Sequence, residues 1–222
     1  MYRNVLVVLP HPDDETFGSG GTIALLAKEG ARVTYLCGTR GEMGRNMGRP
    51  FFANRETLPD LREKELREAC RVLGVAELRL MGLRDKTVEF VDPEQLSATV
   101  GAHIAEIKPD LILTHHPKHG VHPDHNALGG ATIRAVAAMP ADRRPPVWVS
   151  GGGSGIGELG EPDVQMDISS VGEIKQAAID AHRSQSEVFS ATSWAKWQHD
   201  PAMKERMAMR LKRERFWTYR FN

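Results

Sequence analysis

The chain has 222 residues, enough for one α/β domain with a substantial buried core. Its 29 Lys and Arg residues balance its 29 Asp and Glu residues, so net charge gives no sign of a nucleic-acid-binding or membrane-surface protein. No stretch approaches the roughly 18 apolar residues of a membrane-spanning helix. The two cysteines, Cys37 and Cys70, are too few for a disulfide framework and predict buried thiols in a cytoplasmic protein.

Strands and helices are predicted to alternate along the chain. Residues 4–9 (NVLVVL) form a continuous apolar run, typical of a strand covered on both faces, and the charges that follow argue against a secretory signal. In chain order the pattern predicts strand 4–9, helix 12–30, strand 32–38, helix 61–74, strand 78–82, helix 92–107, strand 110–116, helix 126–138, strand 146–151, strand 164–168 and helix 171–182. This alternation predicts a parallel sheet with helices on both faces.

A single domain is expected over residues 1–222, including a C-terminal tail from about residue 186. The tail mixes charged and aromatic residues, and it is interpreted as a helix followed by an edge strand. Its tryptophans Trp194 and Trp197, like the earlier pair Met43 and Met47, could close over a substrate, form a subunit contact or pack in the core.

Two short segments share the tripeptide His-Pro-Asp: HPDDE at residues 11–15 and HPDH at residues 122–125. Each lies beyond a predicted strand, and ligands of open α/β sheets bind beyond the carboxyl ends of the strands. Proline restricts the residue before it to an extended conformation, so each histidine should leave its strand in a set direction. The turn that follows can bring a residue three places on to the same point. The sequence therefore predicts that the two segments meet in one cleft.

The residue types in these segments point to metal chemistry, because imidazole and carboxylate are common ligands of zinc and related divalent ions. His11, Asp14 and His125 would form a three-ligand site completed by water, which is the open arrangement of a catalytic zinc. Three further residues would lie beside this site: Asp13, His122 and Asp124. A carboxylate there can take a proton from the water, and a histidine can donate one to an oxyanion or leaving group.

Each segment taken alone has a simpler explanation. In HPDDE, Asp13 or Asp14 could cap a helix by accepting backbone N–H bonds, and HPDH could be a surface turn. Their joint occurrence at matching strand ends favours a metal site. Three nearby histidines are interpreted as solvated loop residues: His115, His116 and His119.

The two motifs with this spacing resemble the LmbE-like, or PIG-L, family of zinc-dependent N-acetylglucosamine deacetylases. The similarity also includes the late segment AIDAHRSQ and extends to about residue 185. It implies a Rossmann-like three-layer α/β/α sandwich with a mostly parallel sheet. One Zn²⁺ per chain, or another divalent ion such as Fe²⁺, would be held by His11, Asp14 and His125. The resemblance also implies three catalytic roles: Asp13 as general base, His122 as oxyanion stabiliser or proton donor, and Asp124 as the group that orients a histidine.

Three further segments are similar to one branch of the family, the bacillithiol-pathway enzymes that deacetylate N-acetylglucosaminyl-malate: GTRGEMGRNMG, RPFFANRE and LRDKTVEF. This similarity implies that Arg62 and Asp85 contact the sugar or its linkage. Alternatively, Arg62 could form a surface ion pair with Glu63 or Glu65, and Asp85 could cap a turn. Malate carries two carboxylates, which suit guanidinium groups. The candidates for that contact, unless they form only a solvated basic loop, are Arg40, Arg45, Arg49 and Arg55.

Arg45 stands where many relatives carry a small residue, which makes it the loop arginine of most interest. The leading hypothesis is a zinc-dependent N-deacetylase that acts on a small amino-sugar conjugate and has no nucleic-acid or membrane partner. A homo-oligomer is compatible with the resemblance. Three alternatives stay open: a deacetylase of another N-acyl sugar conjugate, a non-haem iron redox enzyme and a non-catalytic sugar-binding protein.

Overall fold

The computed structural model describes residues 2–45, 47–48, 50–152, 154–188, 205 and 208–221. The strands are β1 (Asn4–Leu9), β2 (Arg32–Thr39), β3 (Glu77–Leu83), β4 (Leu111–His115), β5 (Val147–Ser150), β6 (Val164–Asp167) and β7 (Arg213–Thr218). The helices are α1 (Asp14–Lys28), α2 (Leu58–Leu73), α3 (Pro93–Ile107), α4 (Pro123–Ala137), α5 (Gly172–Ala181) and α6 (Arg183–Val188). The sequence predicts six of these strands, β1 to β6, and five of these helices, α1 to α5, within a few residues.

The seven strands form one sheet in the order β3-β2-β1-β4-β5-β7-β6. Strands β1 to β5 are parallel, whereas β7 runs antiparallel to both β5 and β6. The central strand β1 pairs directly with β2 and β4, so its carboxyl end lies beside theirs. The predicted α/β class with a mostly parallel sheet is confirmed.

Two hydrophobic clusters cover the two faces of the sheet, and β1 contributes to both. Val5, Val7 and Leu9 belong to the cluster that includes residues of α1, α2 and α5. Leu6 and Val8 belong to the cluster that includes residues of α3 and α4. All five side chains are buried, which explains why the β1 sequence is continuously apolar instead of alternating.

Two helices begin earlier than the sequence predicts. Helix α2 starts at Leu58 because the Asn54 side chain accepts the backbone N–H groups of Glu56 and Thr57 and so orders the preceding turn. Helix α4 starts at Pro123, directly inside the HPDH segment, and His122 is its N-cap residue. Proline is well suited to the first helical turn, where its missing N–H group is not needed.

The final strand was predicted at the edge of the sheet, and this position is wrong. Strand β7 lies between β5 and β6, and the edge position belongs to β6. Its residues Phe216 and Trp217 are buried accordingly.

Arg49, Trp194 and Trp197 lie outside the described residues. Within the described part of the chain, no helix has the length and apolarity needed to cross a bilayer.

Candidate metal centre

The segment between β1 and α1 folds back on itself and brings His11 and Asp14 together. Oδ2 of Asp14 accepts the backbone N–H of His11 at 2.9 Å and lies 3.4 Å from its ring Nδ1. The Tyr35 hydroxyl on β2 donates to the His11 carbonyl at 3.1 Å, which fixes the end of β1 from the neighbouring strand. The turn after the strand therefore presents an imidazole nitrogen and a carboxylate oxygen at one point.

His125 reaches the same point from the first turn of α4. Its Nε2 atom lies 3.2 Å from Nδ1 of His11 and 3.3 Å from Oδ1 of Asp14. His11 and His125 are buried, and Asp14 is largely so. Since β1 and β4 are adjacent parallel strands, the segments that follow them meet at the same edge of the sheet.

The three donors suit a divalent metal ion. Ligands about 2.0–2.1 Å from a tetrahedral zinc lie roughly 3.3 Å from one another. The two imidazole nitrogens lie 3.2 Å apart, and each lies 3.3–3.4 Å from one of the two Asp14 oxygens. Burial alone would raise the pKa of Asp14, but the histidines His125, His11 and His115 hold it well below its usual range. Asp14 is therefore ionised, as a ligand must be. His11, Asp14 and His125 thus form a candidate metal site with two nitrogen donors and one oxygen donor.

Two carboxylates face the other nitrogen of His11. Nε2 of His11 lies 3.2 Å from Oδ1 of Asp85 and 3.2 Å from Oδ2 of Asp124. Burial opposes protonation of this histidine, yet Asp124, Asp14 and Asp85 together raise the pKa of His11 to about 12. Such an excess of negative charge around one imidazole calls for a cation, which a bound metal ion would supply. Carboxylates that hold the outer nitrogen of a ligand histidine are a common feature of metal sites.

A second donor set, His11, His122 and Asp124, also lies within ligand reach. It fits a metal less well because two of its donor atoms already accept backbone N–H groups. Nδ1 of His122 accepts the backbone N–H of Asp124 at 3.1 Å, and Oδ2 of Asp124 accepts the backbone N–H of Lys86 at 2.8 Å. Because Asp124 lies 3.2 Å from Nε2 of His11, its carboxylate can orient the His11 ring. The orienting role of Asp124 stays a prediction.

Asp13 lies beside the donor cluster in a strained conformation. Its φ angle of 117° is in the left-handed region, which non-glycine residues rarely adopt. Arg62 donates to Oδ2 of Asp13 at 3.1 Å and also to the carbonyl of Pro12. Burial raises the pKa of Asp13 to about 7, with Arg62 acting against the shift and the Asp14 charge adding to it. A carboxylate with a pKa near 7 is suited to general-base chemistry.

The helix-cap interpretation of HPDDE is wrong. Asp13 occupies the N-cap position of α1 but makes no side-chain hydrogen bond to the helix. Asp14 accepts its backbone bond from His11, which precedes it in the chain. The backbone N–H of Asp13 instead donates to Oε2 of Glu15 at 3.0 Å. Neither aspartate side chain therefore caps α1.

Glu15 and His182 form a buried pair that sequence analysis missed. Nε2 of His182 lies 2.6 Å from Oε1 of Glu15, and neither side chain is exposed. Glu15 also accepts the backbone N–H of Asp13, so the Glu15–His182 pair helps to fix the strained backbone of Asp13. Glu15 lies within the HPDDE motif, but its partner is 167 residues away and only the fold reveals it.

The interpretation of His115 as a solvated loop residue is wrong. His115 ends β4, and its ring stacks on that of His125 with centroids 4.0 Å apart and an interplanar angle of 5°. Its Nε2 lies 3.7 Å from Oδ2 of Asp14. The signal was available in the sequence, because His115 falls at the carboxyl end of a predicted strand. By contrast, the rings of His116 and His119 contact each other at a tilt, with centroids 4.5 Å apart and an interplanar angle of 36°.

The three predicted substrate contacts have different surroundings. Arg62 is buried and binds Asp13, so the alternative of a surface ion pair with Glu63 or Glu65 is wrong. Asp85 is buried, and its second oxygen accepts the backbone N–H of Met43 at 2.9 Å. Arg45 is exposed in the 39–55 loop. Contact of any of the three with a substrate stays a prediction.

The fold and the site together define a Rossmann-like α/β protein with a candidate metal centre at the carboxyl edge of its sheet. Residues 6–136 match the family described as PIG-L: GlcNAc-PI de-N-acetylase. The chain belongs to this family of N-deacetylases, so the resemblance inferred from HPDDE and HPDH is confirmed.

Known relatives extend the similarity over the full chain. A Bacillus cereus protein, named a probable N-acetyl-α-D-glucosaminyl L-malate deacetylase 2, is 48% identical over 222 residues, covering 100% of both chains. The structure of N,N'-diacetylchitobiose deacetylase from Pyrococcus horikoshii matches with a TM-score of 0.76 at 26% identity, over 98% of this chain and 84% of that one. A 4-carboxy-2-hydroxymuconate hydratase from Pseudomonas putida also has a TM-score of 0.76, at 21% identity over 99% and 97% of the two chains. The last similarity concerns the fold alone, since one scaffold can host different chemistry.

Proposed function

We propose that this protein is a zinc-dependent hydrolase that removes the acetyl group from N-acetylglucosaminyl-malate. The observation that carries the proposal is the set of His11, Asp14 and His125 donors, 3.2–3.4 Å apart, with the Asp13 carboxylate beside it. The substrate is proposed from the full-length similarity to the Bacillus cereus protein and its printed name. A cytoplasmic location is proposed with it, supported by the free, buried thiols of Cys37 and Cys70.

In this proposal, His11, Asp14 and His125 hold the zinc ion. The chemistry that zinc would supply here is polarisation of the amide carbonyl and acidification of water. The donor set does not by itself select zinc, because two histidines and one carboxylate also suit iron. The choice of zinc rests on the resemblance of the motifs to the zinc-dependent deacetylases.

Asp13 accepts the proton of the attacking water in this mechanism. Arg62 has three acceptors in the protein, the Asp13 carboxylate and the carbonyls of Gly41 and Pro12, so it holds the base in place. A base held by a buried guanidinium needs little reorganisation when it takes the proton. The raised pKa of Asp13 makes it a stronger base than an exposed aspartate.

His122 stabilises the oxyanion by hydrogen bonding. Because its Nδ1 accepts the Asp124 N–H, the proton of the neutral ring is carried on Nε2, which leaves one N–H donor. Burial, followed by the nearby His11 charge, lowers the pKa of His122. A neutral imidazole at neutral pH therefore fits a hydrogen-bond donor to the oxyanion better than a pre-charged acid.

The experiment that tests this function is an acetate-release assay with the purified chain. N-acetylglucosaminyl-malate and N-acetylglucosamine are compared without oxygen, before and after chelation of the metal. We expect release from the malate conjugate that stops on chelation and returns with zinc. Equal rates on the two substrates would contradict the malate assignment, and a requirement for oxygen would favour the iron redox alternative. Sugar binding without acetate release would favour a non-catalytic protein.

A further inference from the structure

The metal centre opens into a cavity of about 840 Å³. This volume lies in the range of about 300–1,000 Å³ that is typical of small-molecule sites. At one end the cavity is lined by the metal donors Asp14 and His125. Its wall also includes three arginines from the C-terminal part of the chain: Arg210, Arg213 and Arg215. A ligand whose acetamide reaches the metal donors can therefore place another part of itself near guanidinium groups.

The charge of this wall is positive. Among the described residues of the wall, the one buried acid apart from Asp14 is Glu214, which Lys175 neutralises through an ion pair of 2.7 Å. Among the residues that the structure describes, none of the three arginines forms an ion pair within 4.0 Å. Arg213 does influence one acid outside the cavity, since Ser169 and, to a smaller degree, Arg213 lower the pKa of Asp167. The wall thus keeps cationic groups without close carboxylate partners.

Strand geometry explains why these arginines face solvent at this place. Side chains alternate along a strand, so Arg213 and Arg215 lie on the face opposite to Glu214, which is buried against α1. Because β7 is antiparallel to β5, its first residues lie at the carboxyl ends of the parallel strands. This is the edge of the sheet that carries the metal centre.

The arginines predicted from the sequence are less available for a ligand. Arg40 is held by Glu63 at 2.8 Å and by Asp60. Arg55 donates to the carbonyls of Glu42 and Gly44 and so closes its own loop. Arg45 is the one described arginine of the loop without such a contact, and it does not line the cavity.

We infer that Arg213 and Arg215, assisted by Arg210, form a subsite for an anionic aglycone that carries one or more carboxylates. The inference rests on the proposed deacetylase function and adds to it the side chains that select the substrate. Guanidinium groups recognise carboxylates through paired, charge-assisted hydrogen bonds. The subsite favours a charged conjugate over a neutral glycoside and assigns this selection to β7 instead of the 39–55 loop.

The test compares two substrates in five proteins. N-acetylglucosaminyl-malate and the neutral methyl N-acetylglucosaminide are assayed with wild type, R213Q/R215Q, R213K/R215K, R45Q and R220Q. Arg220 is the matched control, because it is an exposed arginine of the same C-terminal segment whose partner is Asp163 at 3.0 Å. We expect R213Q/R215Q to lower kcat/KM for the malate conjugate about tenfold or more, mainly through KM, and to leave the neutral substrate unchanged. The lysine variant should recover part of the loss, and R220Q should behave as wild type.

The outcomes separate this inference from the proposed function. Equal loss on both substrates, or a selective loss in R45Q but not in R213Q/R215Q, would overturn the inference while leaving deacetylation intact. If wild type deacetylates neither substrate, the proposed function fails, and calorimetric binding of the malate conjugate then decides the subsite. Weaker binding by R213Q/R215Q than by R220Q supports it, whereas equal binding refutes it.

Discussion

Replacement of Asp13 by asparagine tests the proposed base with little change in shape. Asparagine keeps an oxygen that can accept the hydrogen bond of Arg62, now 3.1 Å from Asp13, and it tolerates a left-handed backbone such as the φ of 117° found there. It cannot take a proton at neutral pH. General-base catalysis typically contributes about 10²–10⁴ in rate, so we expect Asp13→Asn to lower kcat by that factor, which is about 3–5 kcal/mol of activation free energy.

The effect on folding should be much smaller. The ion pair becomes a hydrogen bond from the charged Arg62 to a neutral amide oxygen, which we expect to lower the free energy of unfolding by about 1–2 kcal/mol. Asp13→Ala should cost more, about 3–5 kcal/mol, because it removes both the counter-charge and the hydrogen-bond acceptor of the buried Arg62 and places alanine in a strained conformation. The alanine variant is therefore the poorer test of catalysis.

The assay measures acetate release, bound zinc by mass spectrometry and urea unfolding on the same samples. Asp60→Asn serves as a control, because Asp60 is an exposed acid that pairs with Arg40 on the protein surface. We expect Asp13→Asn to be folded and loaded with zinc but nearly inactive, and Asp60→Asn to be active. Turnover by Asp13→Asn within threefold of wild type would refute Asp13 as the base.

Two further predictions concern buried charges outside the metal site. Lys175→Met should lower the free energy of unfolding by about 3–5 kcal/mol in urea titrations, because it leaves Glu214 buried without its counter-charge. The further change Glu214→Leu should not restore stability, since Glu214 also accepts the N–H groups of Gly21 and Thr22. Full recovery of stability in the double variant would contradict this account. Burial alone would lower the pKa of His182, but Glu15 raises it, so the protonated pair stabilises the fold fully below about pH 6.5, the ordinary pKa of histidine. The stability lost in His182→Gln should be largest below that pH and should shrink as pH rises through the folded pKa; a difference that grows with pH would contradict the assigned shift.

The convergence of the two His-Pro-Asp segments was predictable because strand order and chain direction decide it. Once residues 4–9 and 110–116 are taken as parallel strands, His11 and His125 must leave the sheet at the same edge. Residue type then points to a metal. Both steps use local sequence and a general rule of α/β sheets.

The surroundings of the site were not predictable in the same way. The amphipathic pattern of α2 does not reveal that Arg62 is buried against Asp13, 49 residues earlier. Likewise, the local sequence around β7 does not reveal that Glu214 binds α1, 192 residues away, or that β7 pairs with β5 in the sheet. Such contacts depend on tertiary packing, which leaves no periodic signal in the local sequence.

The central claim is that His11, Asp14 and His125 share one metal ion, and zinc content measured on single-ligand variants tests it most directly. Wild type and Asp13→Asn should each bind one zinc per chain, whereas His11→Ala and His125→Ala, folded as judged by circular dichroism, should lose most of it at equal free zinc. Acetate release by wild type should rise in proportion to zinc content. Full zinc occupancy in both histidine variants would contradict the account.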